Sequence, residues 1–233
     1  MESALAPQVF ELLARGGWVM GVLLLLSLAA VSIILVKLYQ FTRLRIWSRD
    51  WLENVLSSAR SGDTARALSV SSQRPGPIAH VLTIALTERQ RDDLSAEALR
   101  EEVQRAGDAE IGALESNLRG LEVIGSLAPL LGLLGTVLGM IRAFMRLEEA
   151  GARVDPSLLS GGIWEALLTT AVGIAVAVPA MAALAWFESQ VDGVRRTMSD
   201  AVTRVLNSPA SERAPDEEVE QARLRPAGTP RAL

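Results

Sequence analysis

The stretch GGIWEALLTTAVGIAVAVPAMAALAWF, Gly161 to Phe187, decides the fold. From Ala166 to Phe187 it holds no charged residue, and about 20 apolar residues in helical conformation cross the hydrocarbon core of a bilayer. Glu165 stands at its entrance, and Thr169 and Thr170 lie one turn further in. An ionisable side chain is costly in a span and faces a bundle interior or an aqueous path. A carboxylate at the first turn can instead cap a helix N-terminus and favour its dipole. By position alone Glu165 fits either role, because it follows closely on the DPSLLSGG segment.

Working outward, two further runs reach spanning length, beginning at Gly16 (GGWVMGVLLLLSLAAVSIILV) and at Val123 (VIGSLAPLLGLLGTVLGMI). The first exceeds the roughly 7–15 apolar residues of a signal peptide, and only Arg15 precedes it, so it reads as a true span. Lys37 and Tyr39 after it suit a membrane interface. Arg15, Arg142, Arg146 and Arg153 flank the spans on one side. Lys37, Arg43, Arg45, Arg49, Arg105, Arg119, Arg195, Arg196 and Arg204 flank them on the other. The larger basic set marks the cytoplasm. The sequence therefore predicts an all-α membrane protein with three transmembrane helices, N-terminus outside and C-terminus inside, and long helices projecting into the cytoplasm.

The organisation that follows is a periplasmic N-terminus at 1–15, spans at 16–39, 121–143 and 163–187, and a cytoplasmic helical domain at 40–120. A periplasmic loop covers 144–162, a cytoplasmic helix 188–206 and a disordered, Pro- and charge-rich tail 207–233. Within the cytoplasmic domain, RLRIWSRDWLENVLSSARSG reads as a helix that Gly62 can end, and Asp63 can cap a short second helix. RPGPIAH is a breaker. From Ser95 the apolar residues Leu99, Val103, Ala106, Ile111, Leu114, Leu118 and Leu121 recur at helical spacing into the second span, predicting one very long helix. Phe187, Val191, Val194, Met198, Ala201 and Val205 form a second such stripe, and stripes of this kind need partners to cover them.

Composition narrows the function. The chain is 49% hydrophobic, suited to a membrane protein with a polar portion, and a net charge of -4 gives no reason to expect nucleic acid. With no cysteine and one histidine, His80, neither a thiolate nor a multi-histidine metal site can form within the chain. No nucleophile–base pair is evident, so the sequence points away from an enzyme, and no cofactor is implied. GLLGTVLG lacks the spacing of a dinucleotide loop, and no strand precedes it.

On a helical wheel the second span gathers Gly125, Ala128, Gly132, Thr136, Gly139 and Ala143 on one face, opposite Leu127, Leu130, Leu134 and Leu138. The third gathers Gly162, Glu165, Ala166, Thr169, Gly173, Ala177 and Ala180. Small residues let backbones approach closely in lipid, which makes Gly125, Gly132, Gly135, Gly139 and Gly173 candidate packing positions. Thr136 can bond back to the carbonyl four residues earlier. Pro129 removes one backbone hydrogen bond from the span.

The segments LEVIGSLAPLLGLLGTVLGMI and GGIWEALLTTAVGIAVAVPA, in this order and at this separation, resemble the two signature segments of the ExbB/TolQ/MotA proton-channel family, and most closely its three-span ExbB/TolQ branch. The resemblance extends more weakly through 41–119 and not to the tail. It implies a proton pathway lined by Glu165, by Thr170 of E-A-L-L-x-T and by Thr136 of L-G-T-V; Thr169, one turn from Glu165 on the wheel, is a secondary polar candidate by helical geometry and not by the resemblance. It also implies a homo-oligomer, a pentamer in the family, around an ExbD/TolR-like one-span partner that supplies an intramembrane aspartate, an assembly in which the apolar stripes need not be covered within one chain. A TonB- or TolA-like protein would receive the work, and the location would be the bacterial inner membrane. Trp164 stands where a small residue is expected. The competing expectation is a non-conducting scaffold that uses the same glycine faces and leaves Glu165 a helix cap.

Overall fold

The computed structural model describes residues 5–44, 50–90, 95–150 and 156–208, and among these the secondary structure is helical, with no strand. The helices are α1 (Leu5–Arg43), α2 (Asp50–Arg60), α3 (Thr64–Ser72), α4 (Pro77–Glu88), α5 (Ala96–Glu115), α6 (Leu118–Ala150) and α7 (Pro156–Leu206). The expected disordered tail lies outside the described residues, apart from Asn207 and Ser208. The helices fall into two compact units. One is Met1–Arg43 with Gly112–Gly193, the other Leu44–Ile111 with Val194–Leu233.

Three stretches are long and apolar enough to cross a membrane: Gly17–Arg43, Ala96–Glu149 (counted across the α5–α6 junction) and Ser160–Leu206. The first starts at a kink. Gly17 takes φ 61 and ψ -165 inside α1, a conformation only glycine adopts without strain.

In the first unit, Val19 and Leu23 of α1 bury against Ala128 of α6 and Ala177 of α7, with Leu131, Leu138, Val172 and Val176 packed around them. Phe41 and Phe187 meet edge to face at 5.2 Å. Outside this core, Leu25, Leu28, Leu35, Leu130, Leu133, Leu167 and Val178 are exposed. An apolar surface of this extent on three spanning-length helices suits lipid or other spans rather than water.

The second unit begins with α2 and α3, joined as their residues dictate. Gly62 turns into the left-handed region at φ 80, its N–H donating to the Ala59 carbonyl and that of Asp63 to Ser58. This is the paired C-terminal cap that a glycine permits. Asp63 Oδ1 then accepts from the Arg66 N–H at 2.9 Å, capping α3 as its sequence position suggests. The RPGPIAH breaker ends α3, and its second proline also opens α4 at the first helical position. Sequence periodicity did not give α4, which buries Ile78, Val81, Leu82, Ala85 and Leu86 on several sides. His80 Nδ1 lies 2.7 Å from Glu110 Oε1 on an exposed face.

Four expectations are corrected. The single long helix into the second span is two helices. α5 ends at Glu115, α6 begins at Leu118, and Asn117 between them sits at φ 63, a left-handed conformation that asparagine tolerates. Lys37 is not an interface residue. It is fully buried, and its ammonium donates to the Leu114 carbonyl at 2.8 Å, Gln40 Oε1 at 3.0 Å and Ser116 Oγ at 3.4 Å. The break explains it: a helix C-terminus leaves carbonyls without partners, and a cation there satisfies them and the dipole together. The apolar stripes do not await other subunits. Val103, Ala106, Ile111, Leu114, Leu118 and Leu121, and Phe187, Val191, Val194, Met198, Ala201 and Val205, are all buried within this chain. Finally, the expected loop at 144–162 is largely helix, because α6 runs on to Ala150 and α7 starts at Pro156, again a proline at a helix start.

Lys37→Met keeps most of the aliphatic stem but leaves the Leu114 carbonyl unpaired. It is expected to lower stability by about 1–3 kcal/mol, read as a lower unfolding midpoint in detergent. Tyr39→Phe on the exposed side of α1 should leave the midpoint unchanged.

Candidate functional site

Helices α6 and α7 run antiparallel, in contact along a line of small residues. A Cβ on Gly132 would lie 2.9 Å from the Thr169 carbonyl oxygen and 3.0 Å from the Thr170 Cα. On Gly139 it would meet Ala166, on Gly135 the Thr169 side chain, on Gly125 Met181, and on Gly162 Ala143. On Gly173 it would lie 2.6 Å from the Ala128 carbonyl oxygen. Gly125, Gly132, Gly135, Gly139 and Gly173 thus all sit against the opposing helix of the same chain. No side chain larger than hydrogen fits at Gly132 or Gly173, where the neighbouring atoms belong to backbone. α6 passes through Pro129 without interruption.

That close approach places the hydroxyls. Thr169 is buried, its Oγ1 lying 2.7 Å from the Ala166 carbonyl and 3.3 Å from that of Gly132. Thr170 is half-buried and donates across the seam to the same Gly132 carbonyl at 3.1 Å. The two threonines therefore converge on one acceptor of α6. Thr136 donates to the Leu133 carbonyl at 2.6 Å, three residues back. The carbonyl four back, its expected acceptor, is that of Gly132, which receives Thr170. Thr136 and Thr170 so belong to one stretch of the seam, with their hydroxyls on different carbonyls.

Glu165 precedes Thr169 by one turn on α7. Because α7 begins at Pro156, the carboxylate lies beyond the first turn, where the unpaired N–H groups of a helix end are found. The helix-cap role is thereby removed. The Glu165 side chain is 17% exposed and its Oε1 lies 3.1 Å from Arg142 Nη2. That oxygen is buried without a hydrogen bond of good geometry, so the ion pair is its contact with the protein. Arg142 Nε also donates to the Leu138 carbonyl at 3.3 Å. Its guanidinium reaches the α1 kink, where a Cβ on Gly17 would be 3.4 Å from Nη1. Three spanning-length segments therefore meet around Arg142, the partner of the carboxylate. Trp164, beside it in sequence, is exposed.

Arg142 is the member of this group that sequence reasoning missed; it served only as a flanking charge. A signal was present. An arginine ending the second span and a glutamate opening the third fall at the same level once the two helices form an antiparallel hairpin.

A carboxylate and hydroxyls thus lie along a tightly packed seam between spanning-length helices. The sequence profile of the MotA/TolQ/ExbB proton channel family matches residues 73–200, and the chain belongs to that family. It is 34% identical over 178 residues to the biopolymer transport protein ExbB-like 1 of Synechocystis sp., covering 75% of this chain and 68% of that one. It is 29% identical over 191 residues to the biopolymer transport protein ExbB of Salmonella typhimurium, covering 79% and 77%. With the Tol-Pal system protein TolQ of Haemophilus influenzae it shares 34% identity over 113 residues, 47% of this chain and 49% of that one.

Gly132→Val is expected to force α6 and α7 apart at a point where backbone cannot yield, costing about 1–3 kcal/mol. Thermal unfolding in detergent reads it, with Gly112→Ala, whose Cβ would meet nothing within 4 Å and whose helix propensity is the higher, as the control that should lose no stability.

Proposed function

We propose that this chain is the proton-channel and stator subunit of an energy-transducing complex in the bacterial inner membrane. The observation that carries this reading is the carboxylate of Glu165, held largely out of solvent between spanning-length helices and one turn from two hydroxyls on the same seam. A group so placed is rare in a span unless it serves an ion path. Glu165 is the proton-carrying group, Thr170 and Thr136 line the path, and Thr169 is secondary to them. Family membership and the basic-residue asymmetry support an orientation with the N-terminus outside. The exposed apolar faces of α1, α6 and α7 suit a ring of like subunits, a pentamer on the family's pattern. A one-span ExbD/TolR-like protein would contribute an intramembrane aspartate. A TonB- or TolA-like protein would carry the work toward the outer membrane.

A second reading, a non-conducting scaffold, is favoured by one observation: every threonine hydroxyl of the seam already donates to a backbone carbonyl. Reconstituted with its one-span partner, the Glu165→Gln variant separates the two. The channel reading expects proton flux to fall by about tenfold or more, equivalent to ~1.4 kcal/mol on the barrier. It expects a smaller loss for Thr170→Ala and retention for Thr170→Ser. Wild-type flux in Glu165→Gln, or wild-type growth in a complementation assay with normal expression, would overturn it in favour of the scaffold.

A further inference from the structure

Arg142 has no part in the pathway as proposed above, yet it is the group in contact with the pathway's carboxylate. An arginine on a spanning helix is unfavourable unless it is paired or reaches water. Here two independent features receive it. One is Glu165 Oε1 at 3.1 Å, a buried oxygen without a hydrogen bond of good geometry. The other is the notch at Gly17, where the kinked backbone has no side chain and the guanidinium fits 3.4 Å from the vacant Cβ position. The Arg142 side chain remains 44% exposed, so it is not locked in place by packing on all sides.

Resting on the channel reading, we propose that Arg142 gates the path: its ion pair with Glu165 holds the subunit closed until the guanidinium is drawn off the carboxylate. The chemistry is direct. A guanidinium 3.1 Å from Oε1 fills the space beside that oxygen. A fixed positive charge a few ångström away also opposes the entry of a second cation, most strongly where water is scarce. When Arg142 leaves, the Glu165 carboxylate is free to take up a proton and later release it. A competing carboxylate brought by a partner subunit is the kind of group that draws the guanidinium away. Arg142 is thus a positioning residue, acting through Glu165.

The test uses the full-length chain, purified without partner and reconstituted in vesicles carrying a pH gradient and a pH-sensitive dye. Wild type and Arg142→Lys should hold the gradient, because both keep a cation beside Glu165. Arg142→Gln should leak several-fold faster, and Arg142→Gln combined with Glu165→Gln should be tight again, since the leak must run through the carboxylate. The absence of native cysteine adds a check that depends less on the fold. Arg142→Cys should leak, and a positively charged thiol reagent but not a neutral one of equal size should close it. A tight Arg142→Gln of normal oligomeric size overturns the gate. So does a double variant that leaks like the single one, which would mean a damaged seam. If Glu165→Gln loses partner-dependent flux while Arg142→Gln stays tight, only the gate fails. If Glu165→Gln conducts normally with partner, the channel reading fails first.

Discussion

The contact between α6 and α7 at Gly132 governs the rest of the membrane-length unit. At that point the Thr169 carbonyl and the Thr170 Cα stand where a side chain would otherwise be, so the two helices are as close as backbones allow. In lipid, apolar surface gives no net drive to association, and packing of this closeness supplies it. The register it sets carries through the whole seam, from Gly125 against Met181 to Ala143 against Gly162. The polar groups of the seam are placed by that register. Thr169 and Thr170 reach one carbonyl of the facing helix, and Glu165 arrives opposite Arg142.

Charge within the apolar unit is handled in two different ways. Lys37 is saturated, giving its protons to two side-chain oxygens and the carbonyl of Leu114 at the α5 terminus. Its burial is a feature of the fold, because it closes the helix break at Asn117. Glu165 is left unsaturated, with an ion pair to a half-exposed arginine and a buried oxygen lacking a good hydrogen bond. Under-satisfied buried charge is unfavourable for stability and is the kind of arrangement that functional sites retain. The two residues show two ways in which an apolar unit holds a charge.

Several parts of this structure were legible beforehand because the deciding interactions are local. Asp63 caps α3 through its own Arg66 N–H, and Gly62 ends α2 through a conformation that glycine allows, both within a few residues. The small-residue faces of the two spans follow from helical period alone. Other parts were illegible because their causes are distant in sequence. The break at Asn117 disappears in a continuous apolar stripe, and Lys37 looks like an ordinary flanking cation until the Leu114 carbonyl is brought beside it. The extension of α7 back to Pro156 was masked by a segment rich in Gly, Ser and Pro, whose composition usually marks a loop. That extension is what removed the capping role of Glu165.

The sequence by itself determined that this is an all-helical chain with three spanning-length segments, that its second and third spans have small faces, and that a carboxylate and hydroxyls lie on or beside them. Those properties depend on hydropathy and on a fixed angular step per residue, which any helix supplies. Only the tertiary structure decided what the faces meet: that the glycines pack within one chain, that two threonines share the Gly132 carbonyl, and that Arg142 closes on Glu165. A helix fixes the direction in which each side chain leaves its own axis. The partner it finds depends on the antiparallel register of another helix, which long-range packing alone can set.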